Sequence, residues 1–156
     1  MGKERELKFF LEGSLKGLGR WLRFLGFIAK ICDKKITWEE IYAHKDYFFL
    51  VTSLETATML EKMGLDYLVL PKSSVEVQLR ILINKLNITP ELDLNICSIC
   101  GSKLITVDKE EIKEKVPERV YKFYNDFTYC EKCDKVYWEG DHIKRLRARI
   151  KKIVNV

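Results

Sequence analysis

The chain has 156 residues, 47% of them hydrophobic, enough for one compact domain of about 90 residues and a smaller attachment. Its net charge is +5, from 28 Lys+Arg against 23 Asp+Glu, and no apolar run reaches the roughly 18 to 20 residues of a membrane span, so no membrane partner is expected. The opening segment Met1–Lys8 is charged and has no signal-peptide core, and thiols are most readily kept reduced in the cytoplasm, where the protein is expected.

The first part of the chain, residues 1–90, alternates short apolar runs with helical periods, which predicts βα units around a parallel sheet. Leu7–Leu11 reads as a first strand. Ser14–Leu25 reads as a helix with Leu15, Leu18, Leu22 and Leu25 in a stripe and Gly26 closing it. Lys16, Arg20 and Arg23 recur at i, i+4 and i+7 opposite that stripe, a face for phosphates or for solvent. Phe27–Cys32 is the second strand, with Cys32 a small buried hydrophobe. Thr37-Trp-Glu-Glu40 has capping-box form and opens a short helix to His44. Tyr47–Thr52 is a third strand, Ser53 caps a helix over Leu54–Met63, and Tyr67–Leu70 is a fourth strand. Ser73-Ser-Val-Glu76 is a second capping box, starting a helix through Leu86 with Val75, Leu79, Leu82 and Leu86 inward. The expected fold class is α/β: a small parallel-sheet α/β/α domain over 1–90, a linker over Asn87–Asp93, and a second unit over 94–156.

That second unit contains two C-x-x-C pairs, Cys97 with Cys100 and Cys130 with Cys133. Each pair wraps backbone around one side of a cation, and together they supply four thiolates for tetrahedral zinc. Four protein ligands leave no open position for water or substrate, so the zinc is expected to be structural. Between the pairs lies an acid-rich stretch, Asp108–Glu118, expected to form one or two short helices around Val116-Pro117. Tyr121, Phe123, Tyr124, Phe127 and Tyr129 interleave with Lys122 and Lys132, a pattern suited to phosphates and unstacked bases. The competing reading makes the rings ribbon core, and it is preferred for Phe127 and Trp138. His142 is expected to pack at the ribbon edge or contact RNA, since the cysteines fill the metal site. Ile143, Leu146, Ile150 and Ile153 recur at helical spacing, so the tail is an amphipathic helix. Its other side carries Lys144, Arg145, Arg147, Arg149, Lys151 and Lys152, which suit a polyanion such as RNA or a solvated face.

The segment Cys97-Ser-Ile-Cys100-Gly-Ser-Lys-Leu104, then Phe127-Thr-Tyr-Cys130-Glu-Lys-Cys133 through Tyr137-Trp138-Glu-Gly140-Asp-His142, resembles the zinc ribbon of the Mut-seven C-terminal RNase domain family. Gly17-Leu18-Gly-Arg20-Trp21-Leu22-Arg23-Phe-Leu25-Gly26-Phe27 resembles the same family's Leu-x-Arg-Trp-Leu-Arg-x-Leu-Gly block. The resemblance runs from about Phe9 to His142. It implies a PIN-like domain joined to a zinc ribbon and, by association, an endoribonuclease.

A PIN-like nuclease needs three or four carboxylates at the C-terminal ends of parallel strands, holding Mg or Mn ions that activate water. The resemblance places the first acid at Glu12, a glutamate where the family has aspartate, and a further one at Leu54, which is no acid at all. Glu55 is one residue later, and Glu39 or Glu40 stands for the acid of the second helix. Glu39, Glu40 and Glu55 also fit as first-turn acids of their helices. The expected function is RNA binding with weakened or lost nuclease activity. An active metal-dependent endoribonuclease is the alternative, and a protein adaptor using Asp108–Glu118 is a third reading. Ribosomal RNA or the ribosome is a candidate partner by fold-level analogy alone. Nothing in the sequence sets an oligomeric state.

Overall fold

A computed structural model describes residues 7–155; the charged opening, residues 1–6, lies outside the described residues. Four strands, β1 (Lys8–Glu12), β2 (Ile28–Cys32), β3 (Phe48–Val51) and β4 (Tyr67–Val69), form a parallel sheet in the order β2-β1-β3-β4. Side chains alternate across a strand, so β1 feeds both faces. Phe9 and Leu11 enter one core with Ala29, Leu50 and Leu70, while Phe10 enters another with Phe49, Val51 and Cys32.

Helices α1 (Lys16–Phe24) and α4 (Val75–Leu86) cover the first face, whereas α2 (Trp38–Ala43) and α3 (Leu54–Lys62) cover the second. The layering is therefore α/β/α. Leu15, Leu18, Leu22 and Leu25 are all buried, as their spacing predicts, although the helix begins with a 3-10 turn over Gly13–Leu15. Thr37 and Ser53 cap α2 and α3, accepting from the amides of Glu40 and Thr56 at 3.2 Å. The cap of α4 is Ser74 rather than Ser73: its hydroxyl accepts from Val77 N at 3.2 Å. Leu79 and Leu82 are fully buried, as their helical spacing predicts.

The segment after α4 is not a free tether. Ile88 is buried, Leu92 and Leu94 pack on the first core, and Asp93 N donates to Phe24 O at 2.9 Å. Strands β5 (Ile105–Val107), β6 (Phe127–Cys130) and β7 (Lys135–Tyr137) then form an antiparallel sheet in that order. A 3-10 helix over Lys109–Lys115, closed by a capping box of Asp108 and Glu111, and α5 (Glu118–Phe123) fill the interval between β5 and β6. Phe127, Ile112, Val120 and Val136 make a separate small core.

The tail helix α6 (Asp141–Val154) follows the ribbon in sequence but packs with the α/β layers. Ile143, Leu146, Ile150 and Ile153 belong to the same buried cluster as α1 and α4. Arg80 Nε donates to Ile153 O at 3.0 Å, and Arg149 pairs with Glu76 at 2.8 Å. No helix among the described residues is long and apolar enough to cross a membrane.

Candidate functional site

The two C-x-x-C turns converge on one point. The Sγ atoms of Cys97, Cys100, Cys130 and Cys133 all lie within 4.8 Å of one another. Cys97 to Cys133 is 3.9 Å and Cys100 to Cys130 is 3.5 Å. A tetrahedron of sulfurs at zinc–sulfur distance has edges of about 3.8 Å, so the four atoms fit a thiolate-bound cation. Each turn needs a left-handed residue directly after its second cysteine. Gly101 supplies one at φ 81°, and Asp134 the other at φ 52°. Aspartate tolerates that region better than most side chains, and Lys115 and Tyr129 hold its carboxylate.

The four crowded thiols differ in how readily each gives up its proton. The Ser102 hydroxyl, then its amide, holds Cys100 down to about 6, against burial. Cys133 is pushed up to about 12, first by its hydrogen bond with Cys100. Burial pushes Cys97 up, but the Tyr137 hydroxyl at 3.1 Å and the amides of Cys100 and Ile99 hold it lower overall. Burial, then Cys97, pushes Tyr137 up to about 12, so its hydroxyl remains a donor to that sulfur. A bound divalent cation would remove the conflict by stabilising all four as thiolates.

Arg23 departs from the solvent-facing position that its helical spacing predicts. It is 7% exposed, and its guanidinium is spent on backbone carbonyls. Nε and one terminal nitrogen donate to Ala29 O at 3.0 and 2.7 Å, while the other donates to Ser98 O and Ile99 O at 3.1 and 3.0 Å. Ser98 and Ile99 lie inside the first metal turn, so Arg23 staples the ribbon to the α/β layers. Burial lowers its pKa, and the nearby Cys100 and Cys97 sulfurs oppose that shift. Arg23 is buried because α1 packs on two flanks, one on the sheet and one under the ribbon. Lys16 and Arg20 do remain exposed.

The other expected cations are divided. Lys132, Lys144, Arg145, Lys151 and Lys152 are exposed, as is His142. Arg147 pairs with Glu139 at 2.8 Å, and Arg149 pairs with Glu76 while stacking over Trp21 with its guanidinium carbon 5.3 Å from the ring centre. Trp21 is thus a buried anchor with a cationic lid. Phe127 is ribbon core, and Trp138 packs edge-on against it at 6.4 Å.

At the C-terminal ends of the strands, Glu12 reaches across from β1 to β3. Oε1 accepts from the amides of Thr52 and Ser53 at 3.1 and 3.0 Å. Oε2 accepts from the hydroxyls of Thr52 at 3.1 Å and Ser14 at 3.4 Å. The carboxylate therefore ties the end of β1 to the start of α3. The other candidate acids do not join it in a metal-ligating cluster of three among the described residues. Glu39 is exposed, Glu40 lies 3.8 Å from His44 Nδ1, and Glu55 lies 3.7 Å from Lys35 on open surface. Leu54, at the first position of α3, is 74% exposed. Asp33 is a carboxylate that the sequence pattern did not single out: it follows the last residue of β2, which pairs with Glu12 in register. An ideal Cβ on Gly13 would lie 3.7 Å from the Asp33 Cα, so the two strand ends are in contact.

Neither the curated proteins nor the solved structures hold a match to this chain. The profile of the Mut7-C RNAse domain, however, matches residues 7–150, a span that takes in the sheet, both cysteine pairs and most of α6. The chain belongs to the Mut7-C RNase domain family.

Proposed function

We propose that the protein is an RNA-binding member of this family whose nuclease chemistry is weakened or lost, with a structural zinc holding its ribbon. The observation behind the second part is Glu12. Both its oxygens are committed to backbone amides and hydroxyls, which is the job of a structural anion at a helix start. A catalytic Mg or Mn site needs several convergent carboxylates with free lone pairs, and this donor set does not fit one. Leucine at the exposed start of α3 adds nothing to such a site. The RNA-binding part is supported by family membership, by the free Lys16 and Arg20 flank, and by the exposed cations of α6.

Salt-sensitive binding to single-stranded or structured RNA is the test, read as the slope of log affinity against log salt. Affinity purification from native extract, with sequencing of the bound RNA, would decide whether ribosomal RNA is the partner: recovery of one uncut rRNA region is expected. RNA binding that is absent, or indifferent to salt, would end the proposal.

Glu12 separates the structural from the catalytic reading. Glu12→Ala strands the Thr52 and Ser53 amides and should cost about 1–3 kcal/mol in urea unfolding. Glu12→Gln keeps a carbonyl for those amides and should recover most of that loss. Under a catalytic reading, Mn-dependent cleavage would appear in the native protein and both variants would abolish it alike. Asp33, one strand away, and membership of an RNase-domain family are the features in favour of that alternative.

A further inference from the structure

A cleft of about 680 Å³ opens between α1, the first metal turn, α5 and the start of α6. Its volume is that of a small-ligand pocket. Rings make up much of its wall: Phe24 from α1, Tyr137 and Trp138 from the end of β7, and His142 from the first turn of α6. Phe24 and His142 meet edge to face with centroids 6.4 Å apart. Trp138 is braced from behind by Phe127, and it folds closely over Gly140, where a Cβ would lie 2.8 Å from Trp138 Nε1. Rings fixed from behind and open in front are platforms for a planar partner. At the rim, Phe123 is 75% exposed.

The cleft also has unspent positive charge. Arg20 and Arg119 line it, and neither has a hydrogen bond or ion pair among the described residues. The contrast is with Arg147 and Arg149, which are both held by glutamates. Asp141 is the one carboxylate in the lining among the described residues. A second, basic groove of about 500 Å³ runs past Lys16 and Asp33, and it shares Arg20, Ser98 and Ile99 with the cleft. The two are therefore continuous across Ile99, an apolar side chain left 55% exposed.

From this juxtaposition we infer that the cleft binds one unpaired nucleotide of single-stranded RNA, its base among the rings and its phosphates on Arg20 and Arg119. The adjoining strand then follows the groove along Lys16 towards the strand ends. This rests on the RNA-binding reading above and gives it a place on the molecule. An apolar peptide would satisfy the rings but leave both guanidinia unmatched, so the charge favours the nucleotide.

The experiment uses the full, zinc-loaded chain and a labelled ten-nucleotide oligouridylate, with an abasic strand of equal length as comparison. Phe123→Ala removes an exposed ring and should weaken binding roughly five- to tenfold without altering the salt slope. Arg119→Ala, also at an exposed position, should reduce that slope by roughly 0.7, as should Arg20→Ala. The abasic strand should bind more weakly and be indifferent to Phe123→Ala. Zinc content and circular dichroism confirm that each variant is folded. If the native chain binds RNA and all three variants match it, the cleft assignment fails while the RNA reading stands. Binding of an apolar peptide that RNA does not displace would also overturn it. If the native chain binds no RNA, the reading of function fails and the cleft assignment with it.

Discussion

Removing the metal should unfold the ribbon and spare the α/β layers. Tetrahedral thiolate sites contribute about 10–16 kcal/mol of apparent binding energy at pH 7, and that energy is folding energy where the unbound segment has little core. Here the ribbon core, among the described residues, has four buried side chains, Ile112, Val120, Phe127 and Val136, with partly buried rings and valines around them. Chelation, or Cys130→Ser, should therefore expose the amides of β5, β6 and β7 to rapid hydrogen exchange. The tail helix lies beyond the ribbon, yet it should stay docked. Closing a disordered loop of the ribbon's length costs roughly 3–4 kcal/mol. Burial of Ile143, Leu146, Ile150 and Ile153 contributes about 6–12 kcal/mol, with the Arg149–Glu76 pair in addition. Exchange measured residue by residue checks both halves. Amides of α6 that lose protection together with those of the ribbon would show the two to be one cooperative unit, and a Cys130→Ser protein with full zinc would remove the metal from the account. With Arg23 bonded inside the first metal turn, the apo protein should also lose the staple between its two parts.

The contrast between Cys97 and Arg23 shows which parts of this molecule its sequence discloses. Four cysteines in two close pairs imply a metal because the geometry needed is local to each turn. The parallel sheet is legible for the same reason: Phe9, Phe10 and Leu11 alternate faces whatever lies elsewhere in the chain. Arg23 has the spacing of an exposed cation, and the groups that bury it come from Ser98 and Ile99, about 75 positions away. Periodicity reports one packed face of a helix, and α1 has two. Glu12 is similar: its position at the end of β1 is readable, but its partners Thr52 and Ser53 arrive only because β3 is the neighbour of β1 in the sheet. Asp33 left one usable signal, its place directly after a strand, the same place that drew attention to Glu12. The second role of Trp138 was hidden because one ring can both seal the ribbon core and wall the cleft behind it.

Arg23→Met should be the most damaging single substitution outside the cores and the cysteines, at about 3–5 kcal/mol. A methionine of similar length fills the space but takes the guanidinium donors from the buried carbonyls of Ala29 and Ser98 and from the partly buried carbonyl of Ile99. It also removes a cation from beside a cluster that, with four thiolates on a divalent ion, has a net charge of −2. These two losses are separable. Arg23→Lys restores charge but not the planar fork that spans three carbonyls, so it should recover zinc affinity better than folding stability. Gly101→Ala provides a third point. It forces a side chain into φ 81°, and its Cβ would lie 3.1 Å from the guanidinium, so it strains the turn and displaces the same group from the opposite side. Zinc competition with a chromogenic chelator and urea unfolding at saturating zinc give the two readouts. An Arg23→Met protein within 0.5 kcal/mol of the native chain would make the four hydrogen bonds incidental. Loss of stability with unchanged zinc affinity in every variant would assign Arg23 to the junction alone, with no effect on the metal.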